Sequence, residues 1–291
     1  MKSIYKMPAG KEKILAMYDK LQSSLDAKFE SQYINTRFGK THILVGGNEA
    51  APPLICFHGG NVVNPITLKW FEPLSKEYRI YAPDTIGHPG KSDEIRLNPR
   101  TDEYAEWVCD FMDGLQLQKA KFIGPSYGGG ILIRLAAYAP ERIEKAVFLV
   151  PSGIAGGRMV DMIGKILLPL AVYKLFPTNK NLYKACEAMF DEGINDDLLL
   201  QIKYVYDYVR LETTFPKFAN KEELSAFTSP ALLIAAENDV FFPAKHVIPR
   251  AQKIFNNLKK VIHLENASHF QNNRNLELII KEIKDFLTND I

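Results

Sequence analysis

Apolar positions recur along this chain in two different periods. Short runs that are apolar on both faces predict strands buried on both sides. They are Leu54-Ile55-Cys56-Phe57, Tyr78 to Ala82, Lys121-Phe122-Ile123, Ala146-Val147-Phe148-Leu149-Val150, Ala231 to Ala235 and Lys260 to Leu264. Between them the spacing shifts to the helical period over Ile66 to Glu77, Asp102 to Leu115, Ile131 to Ala137, Pro243 to Phe255 and Leu276 to Leu287. At the start, apolar positions from Ile14 to Phe29 repeat at helical spacing and predict an amphipathic helix over Glu12 to Phe29. Tyr33 to Arg37 and Thr41 to Val45, joined by Phe38-Gly39-Lys40, predict a hairpin.

Strands alternating with helices predict a mostly parallel, eight-stranded sheet covered by helices, an α/β architecture. The repeat of about 30 residues per strand–helix unit breaks once. From Val150 to Ala231 no strand is evident, and helical runs lie near Met159 to Leu175, Asn181 to Phe190 and Asp196 to Tyr208. A structureless loop of that length is uncommon, so an inserted helical subdomain is expected. There is no internal repeat and no low-complexity segment.

Composition narrows the classes. The 291 residues are 46% hydrophobic and 24% charged, which is ordinary for a globular protein of one domain with an insert. A net charge of +2, with no basic stretch interleaved with aromatics, argues against a nucleic-acid partner. Cys56, Cys109 and Cys186 are widely spaced and odd in number, so reduced buried thiols and a reducing compartment are expected. The lysine-rich start has no apolar stretch behind it, and no run of about 20 apolar residues exists, so the expectation is cytoplasmic with no integral membrane segment. Asp161, Lys165 and Lys174 interrupt the most apolar stretch, Met159 to Phe176.

The strongest chemical signal is the turn Gly124-Pro125-Ser126-Tyr127-Gly128. It follows one predicted strand and opens one predicted helix. The turn is so sharp that side chains flanking the serine would strike the adjacent strand and helix, hence the glycines. It presents the Ser126 hydroxyl at the top of the sheet, beside a backbone N–H and a helix N-terminus. The pattern alone also describes a tight turn capping a helix. The strand before it and the apolar helix after it favour a nucleophile.

A serine hydroxyl needs a base. His42 and His263 sit within strand runs and read as structural, and His246 lies in a surface-like helix. His58, His88 and His269 follow strand ends, on the sheet edge where ligands bind. The base needs a carboxylate to hold its tautomer. Asp239, Glu237 and Asp84 each follow a strand on that edge, and Asp239 could instead cap the next helix.

The order Ser126, Asp239, His269 is that of one triad family. With it the chain resembles the α/β-hydrolase superfamily over nearly its whole length. His58-Gly59-Gly60 resembles the family's oxyanion motif, Asp84 to Ser92 its Asp-x-x-Gly-x-x-x-Ser loop, and residues 151–222 its cap. Residues 1–150 and 223–291 would then be the hydrolase core. The first helix and the hairpin are similar to those of small bacterial carboxylesterases. The resemblance implies Ser126 as nucleophile, Asp239 as acid and His269 as base, with the N–H groups of Gly60 and Tyr127 as oxyanion donors. Ala236 and Ser268 stand where the family often has glycine. His58 becomes structural.

The reaction implied is that of a serine hydrolase, most broadly a carboxylesterase cleaving small or lipophilic esters, with no metal or organic cofactor. Relatives that open epoxides or remove halogen carry aspartate at the elbow, so Ser126 argues against those reactions. Lactones, thioesters, activated amides and C–C bonds remain open, as does a perhydrolase side activity. A slow ligand receptor on the same fold is the reading from a different class. A peptidase is disfavoured, because the insert has no acidic cluster for a substrate amino terminus. The apolar run Ile163 to Phe176 is expected either to pack on the core or to line a greasy pocket, rather than to face a membrane.

Overall fold

The computed structural model describes residues 3–194 and 196–289. The chain opens with α1 (Pro8–Ser23), the hairpin β1 (Phe29–Thr36) and β2 (Gly39–Gly46), and β3 (Pro53–Cys56). Then come α2 (Asn64–Phe71), β4 (Arg79–Pro83), α3 (Glu103–Gly114), β5 (Ala120–Pro125), α4 (Ser126–Tyr138) and β6 (Ile143–Leu149). A helical excursion follows: α5 (Met159–Met162), a π turn (Ile163–Leu167), α6 (Leu168–Leu175), α7 (Asn179–Cys186) and α8 (Asp196–Tyr208). The chain returns through β7 (Ala231–Ala236), α9 (Ala244–Ile254), β8 (Leu258–Leu264) and α10 (Asn273–Thr288).

The eight strands form one sheet in the order β1-β2-β4-β3-β5-β6-β7-β8. The pairs β1–β2 and β2–β4 are antiparallel, and every pair from β4 onward is parallel. This is the mostly parallel α/β sheet expected. Its inner strands alternate between two cores with period 2, as the pleat requires. Phe122, Phe148 and Leu233 point into one core, while Ile123, Val147 and Leu232 point into the other. Helices α3, α4 and α9 fill the first, through residues such as Trp107, Ile131 and Val247. Helices α1, α2 and α10 fill the second, through Tyr18, Leu68 and Ile283. Trp107 is fully buried and keeps its indole N–H satisfied by the Thr41 hydroxyl at 2.7 Å.

Two expectations are corrected. The first helix stops at Ser23, and Phe29 instead begins β1. Phe29 fits either pattern locally, and pairing with Gly46 across the hairpin decides for the strand. His263 is exposed. It lies on β8, an edge strand with only β7 beside it, so the strand is not buried as its apolar neighbours imply.

Candidate active site

The parallel strands deliver their following loops to one edge, and the chemistry collects there. Ser126 takes a left-handed backbone conformation, φ +48°, at the junction of β5 and α4. That is unfavourable for a non-glycine residue and persists only where the surroundings enforce it. A Cβ on Gly124 would lie 2.7 Å from the Gly128 carbonyl oxygen, and one on Gly128 would lie 2.5 Å from the Phe57 Cβ. Glycine is therefore required on both sides of the serine. From the loop after β6, buried Ser152 donates to the Ser126 carbonyl through its N–H at 3.0 Å and its hydroxyl at 3.1 Å.

The Ser126 hydroxyl lies 2.9 Å from Nε2 of His269, in the loop after β8. Nδ1 of His269 lies 2.8 Å from Oδ2 of Asp239, in the loop after β7. The acceptor Asp239 fixes the proton on Nδ1, leaving Nε2 free to accept from the serine. Oδ1 of Asp239 accepts the N–H groups of Phe241 at 2.8 Å and Phe242 at 3.0 Å. That turn aims the other oxygen at the histidine. Asp239 does not cap α9, whose N-cap is Pro243. The rival carboxylates are engaged elsewhere. Glu237 accepts the Asn266 N–H at 2.8 Å. Asp84 receives the Tyr18 hydroxyl at 2.8 Å, the Lys91 N–H at 2.7 Å and the His42 ring at 3.1 Å.

On the other side of Ser126, the loop after β3 runs against the elbow. A Cβ on Gly60 would lie 3.2 Å from the Tyr127 Cβ, and one on Gly59 3.8 Å from the Ser126 Cβ. Tyr127 belongs to the first turn of α4, where backbone N–H groups have no helical acceptor. His58 anchors this loop. Its Nε2 accepts the Thr85 N–H at 2.9 Å, so its Nδ1–H donates to the Gly59 carbonyl at 2.7 Å. Burial holds its pKa below the usual histidine range, against the opposing pull of Asp84. Nδ1 of His88 accepts the Asn61 N–H at 3.3 Å. Burial, then the nearby His58 and Arg96, push the His88 pKa far down, so it is a neutral acceptor. The His88 ring also packs 4.7 Å from that of Tyr127. Burial raises the pKa of the Tyr127 phenol well above its ordinary value.

The helical excursion and the segment after it contact the loops that carry His269 and Asn61. Phe190 stacks on Phe270 at 4.7 Å, and the Phe270 N–H donates to the Met189 carbonyl at 2.7 Å. Asp191 accepts the N–H of Ser268, the N–H of Asn272 at 3.4 Å and the Asn275 amide at 3.1 Å, bracketing His269. Asn61 closes a two-way bond with Glu212, donating to its carbonyl at 2.8 Å and accepting its N–H at 2.7 Å. Phe241 and Phe270 set their rings against His269 at 5.0 and 5.7 Å. A cavity of about 360 Å³ lies beside Phe270, with apolar Ile66, Trp70 and Phe190 and polar Asp191, Asn272 and Arg274 in its wall. A larger one of about 620 Å³ lies beside Lys11, Tyr33 and Glu94, and neither cavity has Ser126, Asp239 or His269 in its wall.

Sequence reasoning missed Ser152, Asn61, His88 as an acceptor, Asp191 and the rings of Phe241 and Phe270. All but Asp191 lie in loops that follow strand ends, and that position was the one signal available. The apolar run of the excursion, expected to pack inward or line a pocket, does so on one side alone. Ile166, Leu170 and Tyr173 face inward, but Ile163, Leu167, Leu168, Val172, Leu175 and Phe176 are exposed. Among the described residues there is no His, Cys, Asp and Glu group suited to a metal, and no helix is long and apolar enough to cross a membrane.

Comparison with known proteins agrees with the architecture. A model of the alpha/beta hydrolase fold matches residues 52–272. Carboxylesterase YbfK of Bacillus subtilis (strain 168) is 29% identical over 287 residues, covering 94% of this chain and 93% of its own. The crystal structure of naproxen esterase (carboxylesterase NP) from Bacillus subtilis covers 97% of this chain and 100% of its own, at 24% identity and a TM-score of 0.83. That of carboxylesterase CesB (YbfK) from the same organism covers 97% and 100%, at 25% identity and a TM-score of 0.81.

Proposed function

The chain belongs to the alpha/beta hydrolase fold family, and from that premise we propose that it is a serine carboxylesterase acting through an acyl-enzyme on Ser126. One observation carries the reading: the Ser126 hydroxyl, the His269 ring and the Asp239 carboxylate are joined in series at 2.9 and 2.8 Å, at a strained strand-to-helix turn. The similarity to Bacillus proteins named as carboxylesterases supports it.

Nε2 of His269 takes the serine proton as Oγ attacks the ester carbonyl. Asp239 holds the ring and stabilises the imidazolium that forms. The N–H groups of Gly60 and Tyr127 receive the developing oxyanion, each donor worth about 10²–10³ in rate. The imidazolium then protonates the leaving alcohol. Water enters, His269 removes its proton, and the second tetrahedral intermediate collapses to free acid and Ser126. Residues 151–222 act as a cap over this site. The rings of Phe241 and Phe270 against His269 support an ester with an apolar acyl or alcohol part.

The test is a panel of chromogenic esters differing in acyl length. Sustained turnover, many equivalents per chain and best with an apolar acyl group, is expected. Release of about one equivalent followed by arrest would instead mark a slow receptor of the same fold.

A further inference from the structure

The outer surface of the segment 159–176 is unlike the rest of the molecule. Ile166, Leu170 and Tyr173, spaced at i, i+4 and i+7, turn inward against α7, α8 and the loop around Val240. The opposite side is also apolar but uncovered. Leu168 is 60% exposed, Phe176 64% and Leu175 74%, with Ile163, Leu167 and Val172 beside them. An exposed apolar face of this kind marks an interaction site.

Charge identifies the partner. From Met162 to Cys186 the chain holds four lysines, Lys165, Lys174, Lys180 and Lys184, and no acidic residue. All four are exposed. Among the described residues none of them is in an ion pair, whereas the neighbouring Asp161 is neutralised by Arg158 at 2.8 Å. An apolar helix face rimmed by free ammonium groups complements an anionic lipid surface, where the rings and aliphatic side chains enter the headgroup boundary and the lysines meet phosphates. A second copy on this face would bring like rims together across a twofold axis.

We propose that the outer face of residues 159–176 docks the protein peripherally on an anionic lipid bilayer. Of the charges that interrupt this stretch in the sequence, Lys165 and Lys174 are exposed, where they assist surface binding while preventing a span. The inner side of the same layer reaches the site: Ile166 clusters with Val240 and Phe241, and the Phe241 ring rests on His269.

The experiment is flotation of the full chain with vesicles of phosphatidylcholine, with and without phosphatidylglycerol, at low and high salt. Association with the anionic vesicles, weakened by salt, is expected. Lys165→Gln with Lys174→Gln should weaken it roughly 30-fold, at about five-fold per cation. Leu175→Gln with Phe176→Gln should remove it while leaving hydrolysis of a water-soluble ester unchanged, which also reports that the fold is intact. No association at low salt, or association of either double variant equal to that of wild type, overturns the proposal. So does a dimer in sedimentation that Leu175→Gln with Phe176→Gln dissociates, which would assign the face to a second copy. Because the readout is vesicle association, its failure leaves the esterase reading standing, and loss of esterase activity leaves this one standing.

Discussion

The hydroxyl of Ser31 lies 2.9 Å from Nε2 of His42, the same separation that joins Ser126 to His269. Nδ1 of His42 is in turn 3.1 Å from buried Asp84, so the molecule contains two Ser-His-Asp series. The second one sits in the middle of the edge strand β1 and the strand beside it, without a sharp turn or a helix N-terminus next to the serine. Its carboxylate is occupied by the Tyr18 hydroxyl, which ties the Asp84 loop to α1, and by the Lys91 N–H within that loop. On our proposal the elbow and the N–H groups beside it, rather than a base alone, make the nucleophile. A fluorophosphonate should label wild-type protein on Ser126 and leave Ser126→Ala unlabelled, with Ser31 unmodified in both. Covalent label on Ser31 would overturn this distinction.

Three carboxylates compete as the acid, and the geometry separates them. Asp239→Asn should lower kcat by about 10⁴, as in a related triad where the histidine is left in the wrong tautomer. Glu237→Gln retains an acceptor for the Asn266 N–H and should cost less than about tenfold. Asp84→Asn should lower the unfolding midpoint with a far smaller effect on kcat than Asp239→Asn. Steady-state kinetics and urea melts on the three variants check the ranking; a kcat lower in Glu237→Gln than in Asp239→Asn would reverse it.

Asp191 acts at a distance from the reacting atoms, by holding both ends of the segment that carries His269. Asp191→Ala should lower kcat/KM by about ten- to a hundredfold through a misplaced base. Asp191→Asn, which keeps an acceptor oxygen, should recover part of that loss. Equal activity of wild type and Asp191→Ala would show that the loop holds its place unaided.

Stability should depend on pH through the buried histidines. The folded pKa values of His58 and His88 lie below the usual histidine value of about 6.5, mainly through burial. The unfolded chain then binds more protons below about 6.5, so stability is full above that pH and falls on acidification. Asp84 acts lower. Burial alone would raise its pKa, but His42 and the Lys91 N–H outweigh it and hold the carboxyl below its usual range. Its contribution is present above about 3.9 and is lost as pH falls further, so it adds little between pH 5 and 8. Urea midpoints over that interval should drop toward acid in wild type and drop less steeply in His88→Gln. A midpoint flat from pH 8 to about 5 would contradict the assignment.

The sheet was legible because its inner strands are buried on both faces, which leaves continuous apolar runs such as Val147-Phe148-Leu149. The nucleophile turn was legible for a local reason: Gly124 and Gly128 sit where a side chain has no room. The groups that hold this constellation in place were not. Ser152 meets Ser126 across 26 residues and Asn61 meets Glu212 across 151, and no local pattern encodes such contacts. Edge effects misled as well. His263 looked interior because its strand is apolar, yet β8 has one neighbour, so His263→Ala should change stability by less than about 0.5 kcal/mol. The run 159–176 reads by composition as core packing or pocket lining, and only the structure separates its inward face from its uncovered one.

The central claim is that Ser126 carries the acyl group. The direct measurement is peptide-mapped mass spectrometry of protein quenched in acid during turnover of an activated acetate ester. The account predicts an acetyl group on the peptide containing Ser126, formed at the rate of the initial alcohol burst and absent from Ser126→Ala. Sustained turnover with the acyl group on another residue, or with that peptide unmodified while alcohol is released in a burst, would contradict it.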